Sequence, residues 1–179
     1  MAHIQQMEFC KKVKTSHPSK FQNVSVIDIG SLDINGNNRY LFDNPRYTGV
    51  DLAPGNNVDV VSKGHEYKPG HKVDFVISTE CLEHDKMWRE TVKNCIELLH
   101  SGGMLLLTCA TTGRPEHGTA RSGSDWASPF TTKEWEEEYY KNLTEEDLRQ
   151  VFNPEELFEQ FEFSVNDVSK DLYFYGIKR

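Results

Sequence analysis

Apolar and polar positions follow two alternating periods up to about residue 110. Residues 24–29 (VSVIDI) are β-branched at four of six positions and stop at Gly30, which predicts a buried strand of a parallel sheet. A second strand is predicted over 46–52, stopped by Pro54-Gly55, and a short third over 58–62. Between the first two lies NGNNRYLF, long enough for about two helical turns, so the order reads strand, helix, strand. The pattern then repeats. Residues 73–78 form a strand, and 86–100 form a helix with Trp88, Val92, Ile96 and Leu99 on one stripe. Ser101-Gly102-Gly103 ends that helix, and 104–109 is a further apolar strand.

Before this α/β alternation, residues 4–16 predict a weakly amphipathic helix that ends ahead of Pro18, so 1–20 form an N-terminal helical segment. After it, 111–130 are polar and rich in Gly and Ser, and they follow a strand's C-terminal end, where long loops carry function. This is a candidate lid, and 111–160 as a whole reads as lid loop plus small helices. Three helix starts are marked by Thr131 with Glu134, Thr144 with Asp147, and Asn153-Pro154 with Glu156. Residues 161–168 and 172–178 are aromatic and β-branched around a Ser-Lys-Asp connection, which predicts an antiparallel hairpin. The whole of 1–179 is expected to be one domain, with ligands at the C-terminal ends of parallel strands.

Leu, Ile, Val and Phe occupy 43 of 179 positions, enough for a core, and no apolar run has the roughly 20 residues needed to cross a bilayer. The mixed, polar first residues carry no secretory signal, so a cytoplasmic location and no membrane partner are expected. The net charge of −8 is local, because residues 132–162 hold eleven acids against three bases. Part of that acidity belongs in the first turns of small helices. Nucleic acid is not expected as a partner, since the one basic cluster is the short KKVK near the N-terminus. Cys10, Cys81, Cys95 and Cys109 form no CxxC pair, so neither a disulfide framework nor a zinc site is indicated.

The first strand runs into VIDIGSLDING, where an α/β sheet brings backbone amides to a ligand. The dinucleotide fingerprint GxGxxG is missing, with Leu32 in place of the second glycine, which disfavours pyrophosphate. Asp51 ends the second strand, placed either to accept hydrogen bonds from ribose hydroxyls or simply to make a turn in Asp-Leu-Ala-Pro-Gly. These strings, with YTGVDLAPG, VDFVISTECLEH and LLHSGGMLLLT in order, resemble the class I S-adenosylmethionine-dependent methyltransferases over residues 24–110. The closing hairpin resembles that family's antiparallel final strand pair.

The resemblance implies an α/β, Rossmann-like three-layer sandwich with a mostly parallel seven-stranded sheet. It implies S-adenosylmethionine as cofactor, with Asp28, Gly30 and Ser31 beside its amino-acid half, Asp51 on the ribose and Leu52 beside the adenine. Ser62, Lys63 and Gly64 follow the third strand, where Lys63 stands in place of the family's usual Asp and leaves the adenine to backbone groups or to Glu66. Thr79, Glu80 and His84 follow the fourth strand and face the methyl-bearing sulfur.

Methyl transfer asks mainly for positioning, and a hydroxyl acceptor gains from a general base. His117 is the first candidate, His84 the second. A solvated loop histidine and an orienting residue at a turn, with Glu83 capping nearby donors, are the plainer readings of these two. Arg114 and Arg121 lie near enough in sequence to hold an anionic acceptor. Tyr139 and Tyr140 either line an acceptor pocket or pack beside Trp135. The function expected is methyl transfer to a small or glycan-like polar acceptor without a metal. A non-catalytic binding or scaffold module of the same fold, and a nicotinamide-dependent oxidoreductase, stand as alternatives.

Overall fold

A computed structural model describes residues 3–123 and 138–179. The helix start at Thr131 with Glu134, Trp135, and the part of the candidate lid beyond Gly123 lie outside the described residues. Seven strands form one sheet: β1 (Ser25–Ile29), β2 (Arg46–Asp51), β3 (Val60–Val61), β4 (Val73–Thr79), β5 (Leu99–Ala110), β6 (Phe158–Asn166) and β7 (Asp171–Lys178). Their order is β3-β2-β1-β4-β5-β7-β6. The pairs from β3 to β5 are parallel, and β7 runs antiparallel to both β5 and β6. This is the mostly parallel sheet with an antiparallel closing pair that the pattern predicts.

Side chains leave alternate faces of each strand and supply two cores. Ile27, Ile29, Val76, Leu105 and Leu107 meet Trp88, Val92 and Cys95 of α2 (Trp88–Leu98) on one face. Val26, Phe75, Ile77, Met104 and Leu106 meet Phe9 and Val13 of α1 (Ile4–Ser16), with Phe21, Leu41 and Phe42, on the other. The first face also buries Leu148 and Phe152, beside α3 (Glu145–Arg149) and α4 (Pro154–Leu157). Thr144 and Asp147 close a reciprocal capping box on α3, and the Asn153 side chain caps α4 at Glu155.

One predicted element is absent. The two helical turns expected between β1 and β2 are a single 3₁₀ turn, Arg39–Leu41, which buries Leu41. The preceding Asp33 carboxylate accepts hydrogen bonds from the Gly36 backbone and the Asn37 side chain, and these local bonds compete with helix. The freed segment runs along the C-terminal ends of the strands. Backbone approach there is close: a Cβ on Gly30, whose φ is +80°, would fall 2.3 Å from Cys81 Sγ.

The N-terminal helix is fastened to the same edge. His3 is the N-cap residue of α1, with Nδ1 3.1 Å from Gln5 Oε1, and its Nε2 lies 3.1 Å from Asp171 Oδ2 and 3.5 Å from Glu80 Oε2. Asp171 is buried and also meets Arg114 Nη1 at 3.2 Å. Burial pushes the His3 pKa down, but hydrogen bonds and charge from Asp171 and Glu80 prevail and raise it to about 9. A histidine bound more tightly by its proton in the folded state contributes stability below its unfolded pKa of 6.5 and loses it as pH passes about 9. Unfolding free energy from urea titrations should therefore fall between these pH values by at most about 3 kcal/mol. His3→Ala should remove that slope, and an unchanged slope in the variant would assign it elsewhere.

Candidate active site

The C-terminal ends of β1, β2, β3 and β4 enclose a solvent-open crevice of about 1130 Å³. One wall is the Ser31–Asn38 loop; the others are Asp51-Leu52, Ser62 to His65, and the Thr79–Asp85 turn with Gly118. All ten sequence-assigned cofactor residues line it: Asp28, Gly30, Ser31, Asp51, Leu52, Ser62, Lys63, Gly64, Thr79 and Glu80. His84 lines it as well.

Two aspartates at adjacent strand tips are held ready by different means. Asp28 is buried, and its Oδ2 accepts from Tyr47 Oη at 2.5 Å and from Asn38 Nδ2 at 3.4 Å. Its Oδ1 has no partner. Burial raises the Asp28 pKa to about 6 against the pull of those two donors. Asp51 accepts one backbone N–H on each oxygen, from Leu32 at 2.9 Å and Leu52 at 2.7 Å. Each oxygen keeps a lone pair for a further donor. Lys63 Nζ sits 3.5 Å from Glu66 Oε1.

The far end of the crevice abuts a cluster formed by the loops after β4 and β5. Rings of His84, His117 and Tyr140 meet at centroid separations of 5.1 to 5.4 Å. Gly118, with φ +69°, brings its backbone so near that a Cβ would fall 2.7 Å from the His84 ring. His117 Nδ1 lies 3.1 Å from the Pro115 carbonyl, which only accepts, so the ring hydrogen sits on Nδ1. The lone pair is then on Nε2, which faces Glu83 Oε1 at 3.9 Å. His117 thus lies behind His84 and is not among the crevice-lining residues. Burial drives the His84 pKa down to about 3, and burial with the Arg114 charge lowers that of His117. Glu83 is fully buried, and burial, reinforced by the charge of Glu80, lifts its pKa to about 8.

The acceptor-side residues separate. Tyr140 joins the two histidines, whereas Tyr139 packs against the α2 core. Arg114 donates to Asp171 and to the Ser169 carbonyl, and Arg121 pairs with Glu116 and Glu138, so both guanidinium groups already serve carboxylates. Glu83 is not a cap in this structure, for neither carboxylate oxygen accepts a hydrogen bond. Sequence reading missed Asn38, which links Asp28 to Thr79 Oγ1, and missed His65 and Asp85 on the crevice wall. Asp85, two residues ahead of the α2 N-cap Met87, accepts from the Met87 N–H and the Thr91 hydroxyl.

The sequence matches the family model for a methyltransferase domain over residues 1–164. Comparison with curated proteins gives no match. Among solved structures, the Burkholderia thailandensis 1,6-didemethyltoxoflavin-N1-methyltransferase, crystallised with 1,6-didemethyltoxoflavin and S-adenosylhomocysteine, superposes with a TM-score of 0.65 at 14% identity. The alignment covers 97% of this chain and 78% of that one. N-methyltransferase NodS of Bradyrhizobium japonicum WM9 gives 0.62 at 13% identity, covering 96% and 95%. Magnesium protoporphyrin IX methyltransferase of Synechocystis PCC 6803 gives 0.57 at 13%, covering 96% and 83%. At these identities the structures attest the fold.

The Asp28 geometry sets a further expectation. Tyr47→Phe removes the shorter of two hydrogen bonds to a buried carboxylate and should lower stability by about 1–3 kcal/mol in urea unfolding. No loss would mean that Asp28 is held by Asn38 alone.

Proposed function

Because this chain belongs to the methyltransferase-domain family, we propose that it moves the methyl group of S-adenosylmethionine onto a neutral, hydroxyl-bearing acceptor of small or glycan-like kind. The observation that carries this reading is the pair of aspartates at the tips of β1 and β2, both lining one crevice with hydrogen-bonding capacity left over. The unpartnered Oδ1 of Asp28 suits the ammonium of the cofactor's amino-acid half. The remaining lone pairs of Asp51 suit the two ribose hydroxyls, and its backbone bonds fix the carboxylate in orientation beforehand. Leu52, Leu32 and Ile34 supply apolar surface, and His65 a ring, on the crevice walls where an adenine needs both. When bound, S-adenosylmethionine would supply an electrophilic sulfonium methyl, to whose carbon an acceptor oxygen bonds in line as the thioether sulfur leaves.

The chain's own contribution is positioning. Glu80, held by Thr108 Oγ1 at 2.9 Å, and His84 stand at the acceptor end. With Arg114 and Arg121 committed to carboxylates, an uncharged acceptor fits this rim better than an anionic one. His84 is too weakly basic to hold a proton near neutrality, and the His117 lone pair points to Glu83, so the pair together delimits the acceptor site. The nicotinamide alternative loses its support with the family match and the absent glycine fingerprint. No described helix is long and apolar enough to cross a membrane.

Asp51→Ala should weaken S-adenosylhomocysteine binding about 10- to 100-fold by calorimetry while leaving the thermal transition within a few degrees of the parent. Equal affinity in the variant sinks the ribose assignment, and absence of binding in the parent protein sinks the proposed function itself.

A further inference from the structure

Glu83 lies in the turn after β4 with 0% of its surface exposed, and neither carboxylate oxygen meets a donor. A group so placed is costly unless something else neutralises it. No side chain beside it forms a hydrogen bond to either oxygen. His117 Nε2 stands 3.9 Å from Oε1, too far for a hydrogen bond, and its other nitrogen is committed to Pro115. His84 Nδ1 is buried and likewise without a partner. One donor atom from each of Glu83, His84 and His117 lies within 4.8 Å of the others. Glu80, from the same turn, adds its negative charge to that experienced by Glu83. Two imidazole nitrogens and a carboxyl group converging with no hydrogen bond among them fit the surroundings of a cation, which would displace any proton the carboxyl holds.

We propose that Glu83, His84 and His117 bind one divalent transition metal ion of the zinc, manganese or cobalt type at the acceptor end of the crevice. Two imidazoles and a carboxylate suit these ions better than magnesium or calcium, which prefer all-oxygen shells. Around an ion with bonds of about 2.0–2.2 Å, donor atoms stand roughly 3–3.4 Å apart, so small side-chain rotations close the site. Gly118 holds His84 against the loop that carries His117, and Tyr140 and Pro115 fix the His117 ring from its other nitrogen. Three protein ligands leave positions open on the crevice side, where His84 forms the wall.

Resting on the methyl-transfer reading, the open positions would take the acceptor's hydroxyl oxygen. The ion would favour loss of the hydroxyl proton to solvent, and the oxygen–methyl bond would form as the sulfur–methyl bond breaks. This site differs from the one the cysteines failed to indicate, since it uses no thiol.

The test uses the untagged full-length protein, stripped with a chelator and titrated with Zn²⁺, Mn²⁺ and Co²⁺ by calorimetry, with the visible spectrum recorded for Co²⁺. One equivalent of at least one ion should bind at micromolar concentration or tighter. His117→Ala and Glu83→Gln should weaken it at least about tenfold. His3→Ala alters the neighbouring His3, Glu80 and Asp171 cluster and should leave it unchanged. Circular dichroism verifies folding, and if Glu83→Gln unfolds, the variant at the partly exposed His117 decides. No binding of any of the three ions by the folded parent, or binding that survives loss of His117, overturns the proposal. S-adenosylhomocysteine titrated into the same metal-free sample separates the two ideas: failure there removes the methyl-transfer reading and leaves the metal result standing.

Discussion

The parallel register of β1 between β2 and β4 governs everything at the functional edge of this protein. Asp28 lies opposite Gly49 on one side and Ile77 on the other, and Ile29 lies opposite Val50, so three strands finish at one level. Parallel strands buried on both faces leave polar side chains little room except at their ends. Asp28, Asp51 and Glu80 are therefore gathered along one rim, with the left-handed Glu80 (φ 52°) and Gly30 turning the chain away from the sheet. The crevice follows from that common ending, because each chain segment must leave the sheet in a direction that keeps clear of its neighbours.

Four acids at or near this rim are buried, and each is dealt with differently. Asp28 is held by a phenol and an amide, Asp171 by a histidine and an arginine, and Glu80 by a threonine hydroxyl and the same histidine. Glu83 has none of these arrangements on its carboxylate. A protein interior normally satisfies its polar groups, so unsatisfied atoms that border a crevice are the places where a ligand completes the structure. Of Asp28 and Glu83, each with an unpartnered oxygen here, Asp28 lines the crevice and Glu83 stands behind its wall.

The helices that pack the sheet are unequal. α2 carries a full apolar stripe against one face, whereas the connection from β1 to β2 makes only a 3₁₀ turn. That short connection frees the Ser31–Asn38 loop to stand as a crevice wall and to send Asn38 between Asp28 and Thr79. Asn and Gly in NGNNRYLF favour local side-chain bonds over helix, which is why length alone misjudged the segment.

Local chemistry in the sequence determined the strands of the sheet, most of the α2 stripe and the capping of α3 and α4, because these depend on periodicity and cap residues. The helix expected to reach residue 100 instead ends at Leu98, with Leu99 and Ser101-Gly102-Gly103 inside β5. The crevice-lining residues from Asp28 to Glu80 were legible chiefly through the family resemblance. Tertiary structure alone decided the rest. It turned Tyr139 to the core and Tyr140 to the histidines, and tied Arg114 to Asp171. It also set His117 behind His84, against a buried Glu83. Those outcomes depend on how loops distant in sequence pack across one rim, and no residue's own neighbours along the chain carry that information.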